Sequence, residues 1–374
     1  MKSEIDRPVE LTMFDGPPAK DDQLPDLCLT EQLPFAKKYL DYSKVNVNVH
    51  AANINWLTRE AAIELEKATN WLNEKINVDS IYIATRFVDG NKHGASVKPL
   101  SSPQSSSREY LIRIRLGGIP LLFGIANRLQ LISSNLLLGA LATGNTNVDA
   151  GYIEWDPETE PMGSITWEPD TLSGLGHTLQ IVQDSLLLMF FHEAAHACAG
   201  HPYMYGKHQY SLIADQYRKA VEAEADWGAG QLFIKFHTDT GKIEGSELCR
   251  RMVFAAKCNY LALQVARGEQ GRPDSKYHTP NTRTQCTVAG GEQAWSMSNS
   301  VSGDYVEMTN ESANSIYFAE KLFRKAIKGW LPFDSNYSKL DFESLVSVSW
   351  PLLKVLKESN KVKRAKAFDE LPWN

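Results

Sequence analysis

"LLLMFFHEAAHACAGHPY", residues 186–203, decides how the rest of the chain is read. Two imidazoles and a carboxylate, His192, Glu193 and His196, stand in a run otherwise apolar enough to be buried. Such groups are costly to bury without partners. On a helix, His192 and His196 are i and i+4 and project from one face, so two ring nitrogens can reach one metal ion. Glu193 sits about a quarter-turn around. It can touch a water on that ion without binding the ion itself. The flanking Leu186, Leu187, Leu188, Phe190 and Phe191 bury the helix and lower the local dielectric. Cys198 falls on the side away from the histidines and reads as a small core residue. The bare pattern arises by chance in about one chain in a hundred of this size. The plain alternative is a helix with two partly exposed histidines and a solvated glutamate, and a third ligand would weaken it.

"AVEAEADWGAG", residues 220–230, offers that ligand. Glu222 and Asp226 are again i and i+4, on a helix expected to begin near Ser211. Ala225 and Ala229 flank the same face, and Gly228 and Gly230 follow, so a second helix can approach closely. A catalytic zinc takes three protein ligands and keeps an open position, and two histidines with one glutamate form such a set. Asp226 would accept the N–H of a ligand histidine from behind. Glu224 points away. Were it the ligand, its i+4 partner would be Gly228, which can orient nothing, so Glu222 is preferred. The alternative for this segment is a solvated acidic face.

Composition bounds the rest. The chain has 374 residues, 43% hydrophobic and 22% charged, enough to bury a sizeable core. A formal charge of −6 supplies no basic field for phosphates, so a nucleic-acid partner is not expected. The cysteines, Cys28, Cys198, Cys249, Cys258 and Cys286, are odd in number and form no CxxC. They read as reduced thiols in a cytoplasmic protein. The N-terminus lacks the apolar core of a signal peptide. The most apolar span, residues 117–144, is interrupted by Pro120, Asn127, Arg128 and Gln130. It reads as a core helix pair rather than a membrane helix, and integral membrane association is not expected.

The expected organisation is α+β. Residues 1–34, polar and proline-bearing, read as a flexible arm without its own core. Residues 35–374 form one domain, with an α/β half over 35–177 and a helical half over 178–374. "KVNVNVHAANI" (44–54) alternates as a strand does. Thr58 is placed to cap a following helix over 59–75. "SIYIATRFV" (80–88) is a second strand, ended by Asp89-Gly90. A Ser/Pro-rich loop over 98–108 leads to a third strand, "YLIRIRL" (110–116). This strand presents Tyr110, Ile112, Ile114 and Leu116 on one face and is the candidate sheet edge; Arg113 and Arg115 on the other read equally as a solvated face. Helices are expected over 178–199, 211–236, 245–268, 309–330 and 340–358, with a long irregular stretch over 268–303.

"HEAAH" followed by "EAEAD" resembles the gluzincin branch of zinc metallopeptidases, over residues 178–236. The CAAX prenyl protease and immunity-repressor-cleaving families share its layout, and "HEAAHACAGH" also resembles the latter and the Lit-like phage-exclusion peptidases. The resemblance implies a zincin-like fold: a small sheet packed on an active-site helix. It also implies Zn2+ held by His192, His196 and Glu222, with Glu193 as general base and Asp226 behind the ligands. The competing metzincin pattern needs a glycine and a histidine where Ala199 and Pro202 stand. Gly200 and His201 each miss by one, and His201 reads as the residue after a helix cap at Gly200. Gluzincins also stabilise the oxyanion with a histidine, tyrosine or arginine from a later segment. "KYHTPNTR" offers Tyr277, His278 and Arg283 for this role, though it reads equally as a plain polar loop. His50, His93, His177, His208 and His237 read as structural or solvent-facing. The implied activity is zinc-dependent hydrolysis of a peptide bond in an intracellular protein or peptide substrate, general or single-target. The alternative is a non-catalytic zinc-binding scaffold of the same fold.

Overall fold

The computed structural model describes residues 47–88, 93–102, 105–115, 118–119, 121–126, 129, 172–203, 214–241, 243, 245–267, 277–298, 302–326, 336–359 and 365. The expected arm over 1–34, Cys28, the Asp89-Gly90 turn and most of the apolar span over 117–144 lie outside them. So do His50's side chain and His208.

An N-terminal mixed α/β region with a small three-stranded sheet precedes a mainly helical half. Helix α1 (Val47–Ile76) opens the described chain. Ala61, Leu65, Ala68, Leu72 and Ile76 recur at helical spacing and are buried, which fixes its inward stripe. The expected strand over 44–54 is therefore corrected, because residues from Val47 onward are helical. Thr58 lies inside α1 and is buried rather than capping it. A period of two over a few residues is a weak local signal, and a helix already nucleated downstream extends through it at little cost.

A short 3-10 turn (Asn77–Asp79) follows, and Ser80, at φ 55°, turns the chain into β1 (Ile81–Val88). Next come β2 (Ala95–Pro99) and β3 (Arg108–Arg115). The strand order is β1-β3-β2, with β3 parallel to β1 and antiparallel to β2. Two sequence expectations change here. The third strand is central, not an edge. The edge strands are β1 and β2, and β2 includes Lys98 and Pro99 from the expected loop. Tyr110, Ile112 and Ile114 share the buried face of β3 as the alternation predicts. Asn73 of α1 brackets Ile83, donating to its carbonyl (2.8 Å) and accepting from its N–H (2.9 Å), so α1 is pinned to β1.

Helix α2 (Leu172–Ala199) carries an apolar run over residues 186–191, all of them buried, and a helix with such a segment sits in a core. The expected division at residue 177 falls inside it. Helix α3 (Ala214–Thr240) packs on α2, and α4 (Gly245–Arg267) on α2 as well. Helix α5 (Pro280–Ser298) occupies part of the stretch expected to be irregular, so that expectation is corrected. Its Ser/Thr/Gly-rich sequence has weak helical propensity, and packing supplies the stability. Helices α3 and α5 meet backbone to backbone. A Cβ on Gly230 would lie 1.8 Å from the Thr287 carbonyl oxygen, and one on Gly290 2.0 Å from that of Trp227. Helices α6 (Ser302–Ala326), α7 (Asn336–Ser344) and α8 (Trp350–Ser359) complete the described chain, the last two joined by a π-helical turn. Residues 121–126 are helical and buried. Cys198, Cys249, Cys258 and Cys286 are buried thiols. Among the described residues no helix is long and apolar enough to cross a membrane.

Candidate metal centre

The buried apolar run of α2 carries His192, Glu193 and His196 to the lining of a cavity of about 350 Å³. Helix α3 brings Glu222 to the same lining, and the two histidines with Glu222 form a cluster suited to a divalent metal. His192 Nε2 lies 3.1 Å from His196 Nε2 and 3.2 Å from Glu222 Oε2, and His196 Nε2 lies 3.7 Å from Glu222 Oε2. A tetrahedral ion with bonds of about 2.0–2.1 Å separates its donors by roughly 3.3 Å. The three edges bracket that value, so the donor set fits such an ion.

The electrostatics agree with a ligand set. Burial raises the Glu222 carboxyl, but His196 and His192 outweigh it and hold the group well below the usual carboxylate range. Burial opposes the charged form of His192, yet Asp226 and Glu222 raise it to about 10. Glu193, partly buried, is pushed up by desolvation, which His196 and His192 only partly offset. The Val97 backbone N–H of β2 donates to it.

Asp226 lies behind His192, with Oδ1 2.8 Å from Nδ1, although the approach is out of line for an aligned hydrogen bond. Arg283 of α5 clamps both Asp226 oxygens (2.7 and 2.8 Å), and the Tyr260 hydroxyl of α4 donates to Oδ1 (2.8 Å). The guanidinium also lies 4.4 Å over the Tyr260 ring and 5.4 Å over that of Tyr277. Burial raises the Asp226 carboxyl, but Arg283 and His192 hold it below the ordinary value.

Of the three residues named from 276–283, Tyr277 and Arg283 line the cavity. His278 does not: it is buried between Asp341 (Nδ1, 3.0 Å) and the Ser349 hydroxyl (Nε2, 3.0 Å). His93 is buried with Nε2 2.6 Å from Asn259 Oδ1, and His237 is buried as well, whereas His177 is exposed.

Glu224 points away from the metal ligands, as its helical position requires, and what gives way is the alternative of a solvated acidic face. Glu224 is fully buried, with Oε2 3.0 Å from His201 Nε2, and His201 Nδ1 lies 2.7 Å from His196 Nδ1. His201 reaches this place because α2 ends at Gly200, whose φ of 77° reverses the chain. Glu224, His201 and Tyr260 are thus site residues that helical spacing did not find. Their one local signal is polarity inside otherwise apolar stretches, as in "CNYLAL". The cavity lining also includes Ala95, Ser96 and Val97 of the edge strand β2. Set against models of protein families, curated proteins and solved structures, the chain matches none of them.

Proposed function

We propose that this chain is a zinc-dependent endopeptidase with the gluzincin ligand set His192, His196 and Glu222. The observation that carries the reading is the division of labour on one helix. Two imidazoles converge with Glu222 at tetrahedral spacing, while Glu193, between them in sequence, faces the same cavity outside the triad. Bound zinc would supply a Lewis acid that polarises the scissile carbonyl and acidifies a water.

The chain's own groups do the rest. Glu193 takes a proton as that water's oxygen bonds to the carbonyl carbon. It then passes the proton to the amine as the C–N bond breaks. Its partial burial keeps the carboxylate basic enough to do so. The β2 edge, paired on one side only, is the place for an extended substrate backbone. Tyr277, which lines the cavity, is the oxyanion donor of this reading in place of His278, which does not. Arg283 is committed to Asp226 and steadies the ligand shell.

The test is Glu193→Gln, which preserves shape but accepts no proton. The variant is expected to fold, to hold stoichiometric zinc and to lose cleavage of a mixed peptide library by about 10²–10⁴-fold. Cleavage at the wild-type rate overturns peptide hydrolysis at this centre. Stoichiometric zinc in both proteins, with no cleavage by either and capture of the same protein by both, favours the scaffold reading.

A further inference from the structure

We infer that Glu224, acting through His201, is a positioning residue that sets the metal-ligating tautomer of His196. The inference rests on the metal-holding part of the proposed function and not on the peptidase chemistry. Three buried groups stand in line behind the cavity. Glu224 Oε2 is 3.0 Å from His201 Nε2, and His201 Nδ1 is 2.7 Å from His196 Nδ1. Both Glu224 and His201 have no exposed surface, and His196 has 4%.

A contact of 2.7 Å between two ring nitrogens needs one proton, not two and not none. A histidine that ligates through Nε2 carries its proton on Nδ1. His196 must therefore donate from Nδ1, and His201 must accept at Nδ1. A neutral His201 then carries its own proton on Nε2, where Glu224 accepts it. With Glu224 accepting from His201 Nε2, the direction of both hydrogen bonds is set from the carboxylate end of the line. Were His201 to hold its proton on Nδ1 instead, His196 would be driven to protonate Nε2, and its lone pair would be lost to the metal.

Helix α3 thus serves both ligand histidines with a carboxylate. Asp226 lies directly behind His192. Glu224, about 160° around the helix from Asp226, reaches His196 only because the turn at Gly200 folds His201 between them. His201 is no ligand itself: it touches the back of the His196 ring, away from the Nε2 edge that faces His192.

Two measurements test the inference. Long-range 15N–1H spectra of the histidine rings in the metal-free wild type are expected to show His196 protonated at Nδ1 and His201 at Nε2. Zinc affinity is then measured by chelator competition. Glu224→Leu, which removes the acceptor, is expected to weaken it by about 10–100-fold. Glu224→Gln, which keeps an acceptor oxygen, is expected to restore most of that loss. His201 protonated at Nδ1, or equal zinc affinity in Glu224→Leu and wild type, overturns the inference. If the leucine variant does not fold, the wild-type spectra decide alone. Neither readout uses proteolysis. Unimpaired cleavage by Glu193→Gln alongside zinc loss in Glu224→Leu would therefore sink the peptidase reading and leave this one standing.

Discussion

His192 is the residue on which metal loading turns. In the metal-free chain Asp226 and Glu222 outweigh burial and raise it to about 10. At neutral pH it therefore holds a proton that an incoming metal must displace. Zinc binding is expected to release one proton from this ring, and apparent affinity to rise about tenfold per pH unit between roughly pH 6 and 8. Chelator competition at several pH values, with proton release followed in weakly buffered solution, checks this. An affinity flat with pH would show that His192 is already neutral. Glu222 behaves oppositely: held well below its usual range, it is ionised throughout that window and adds no slope.

Among the elements, α3 bears the most. It carries Glu222 and Asp226 toward α2 and is buried on nearly every side. Its register against α5 is fixed by backbone contact at Gly230 and Gly290. That same contact brings Arg283 onto Asp226. Gly230→Ala would place a methyl group 1.8 Å from the Thr287 carbonyl, an atom that moves only with the helix. Overpacking costs about 1–3 kcal/mol, occasionally more, and a backbone clash belongs at the upper end. The variant is expected to lose about 3 kcal/mol in urea denaturation and to bind zinc more weakly as the helices part. Stability within a few tenths of a kcal/mol of wild type would mean that this close approach does not exist.

Across the whole molecule, buried titratable groups set the pH range in which the fold survives. His237 is buried between Phe233 and Phe236, with ring centroids 4.5 and 5.2 Å away. Burial and then the charge of Arg251 lower it to about 3. Glu64 alone favours the charged ring, and Asp184 stands 3.8 Å from Nε2. However, that carboxylate is committed to Arg251 at 2.7 and 2.8 Å, so burial prevails. Since the folded value lies below the ordinary 6.5, the stabilisation is complete above pH 6.5 and is lost as pH falls toward 3. The slope is roughly 1.4 kcal/mol per pH unit at most. Thermal melts of the metal-free protein are expected to fall through this window, and His237→Phe to flatten the fall. An unchanged slope in that variant would assign acid sensitivity elsewhere.

What the sequence determined by itself was whatever the geometry of a single element dictates. An i, i+4 pair on a helix faces one way in any fold, so the pairing of His192 with His196, and of Glu222 with Asp226, was legible from spacing alone. The apolar run around the first pair required burial, and the alternation in "IYIATRF" and "YLIRIR" required a sheet. Tertiary structure decided what depends on neighbours distant in sequence. Sheet order made β3 central and left β1 and β2 at the edges, since hydrogen-bond partners are not encoded in a strand's own alternation. Packing made a helix of the threonine- and glycine-rich residues 280–298, where propensity alone predicted none. It also joined Glu224 to His201 across 23 positions. Helical spacing placed Glu224 correctly, away from the ligands, but could not say what waited on that side.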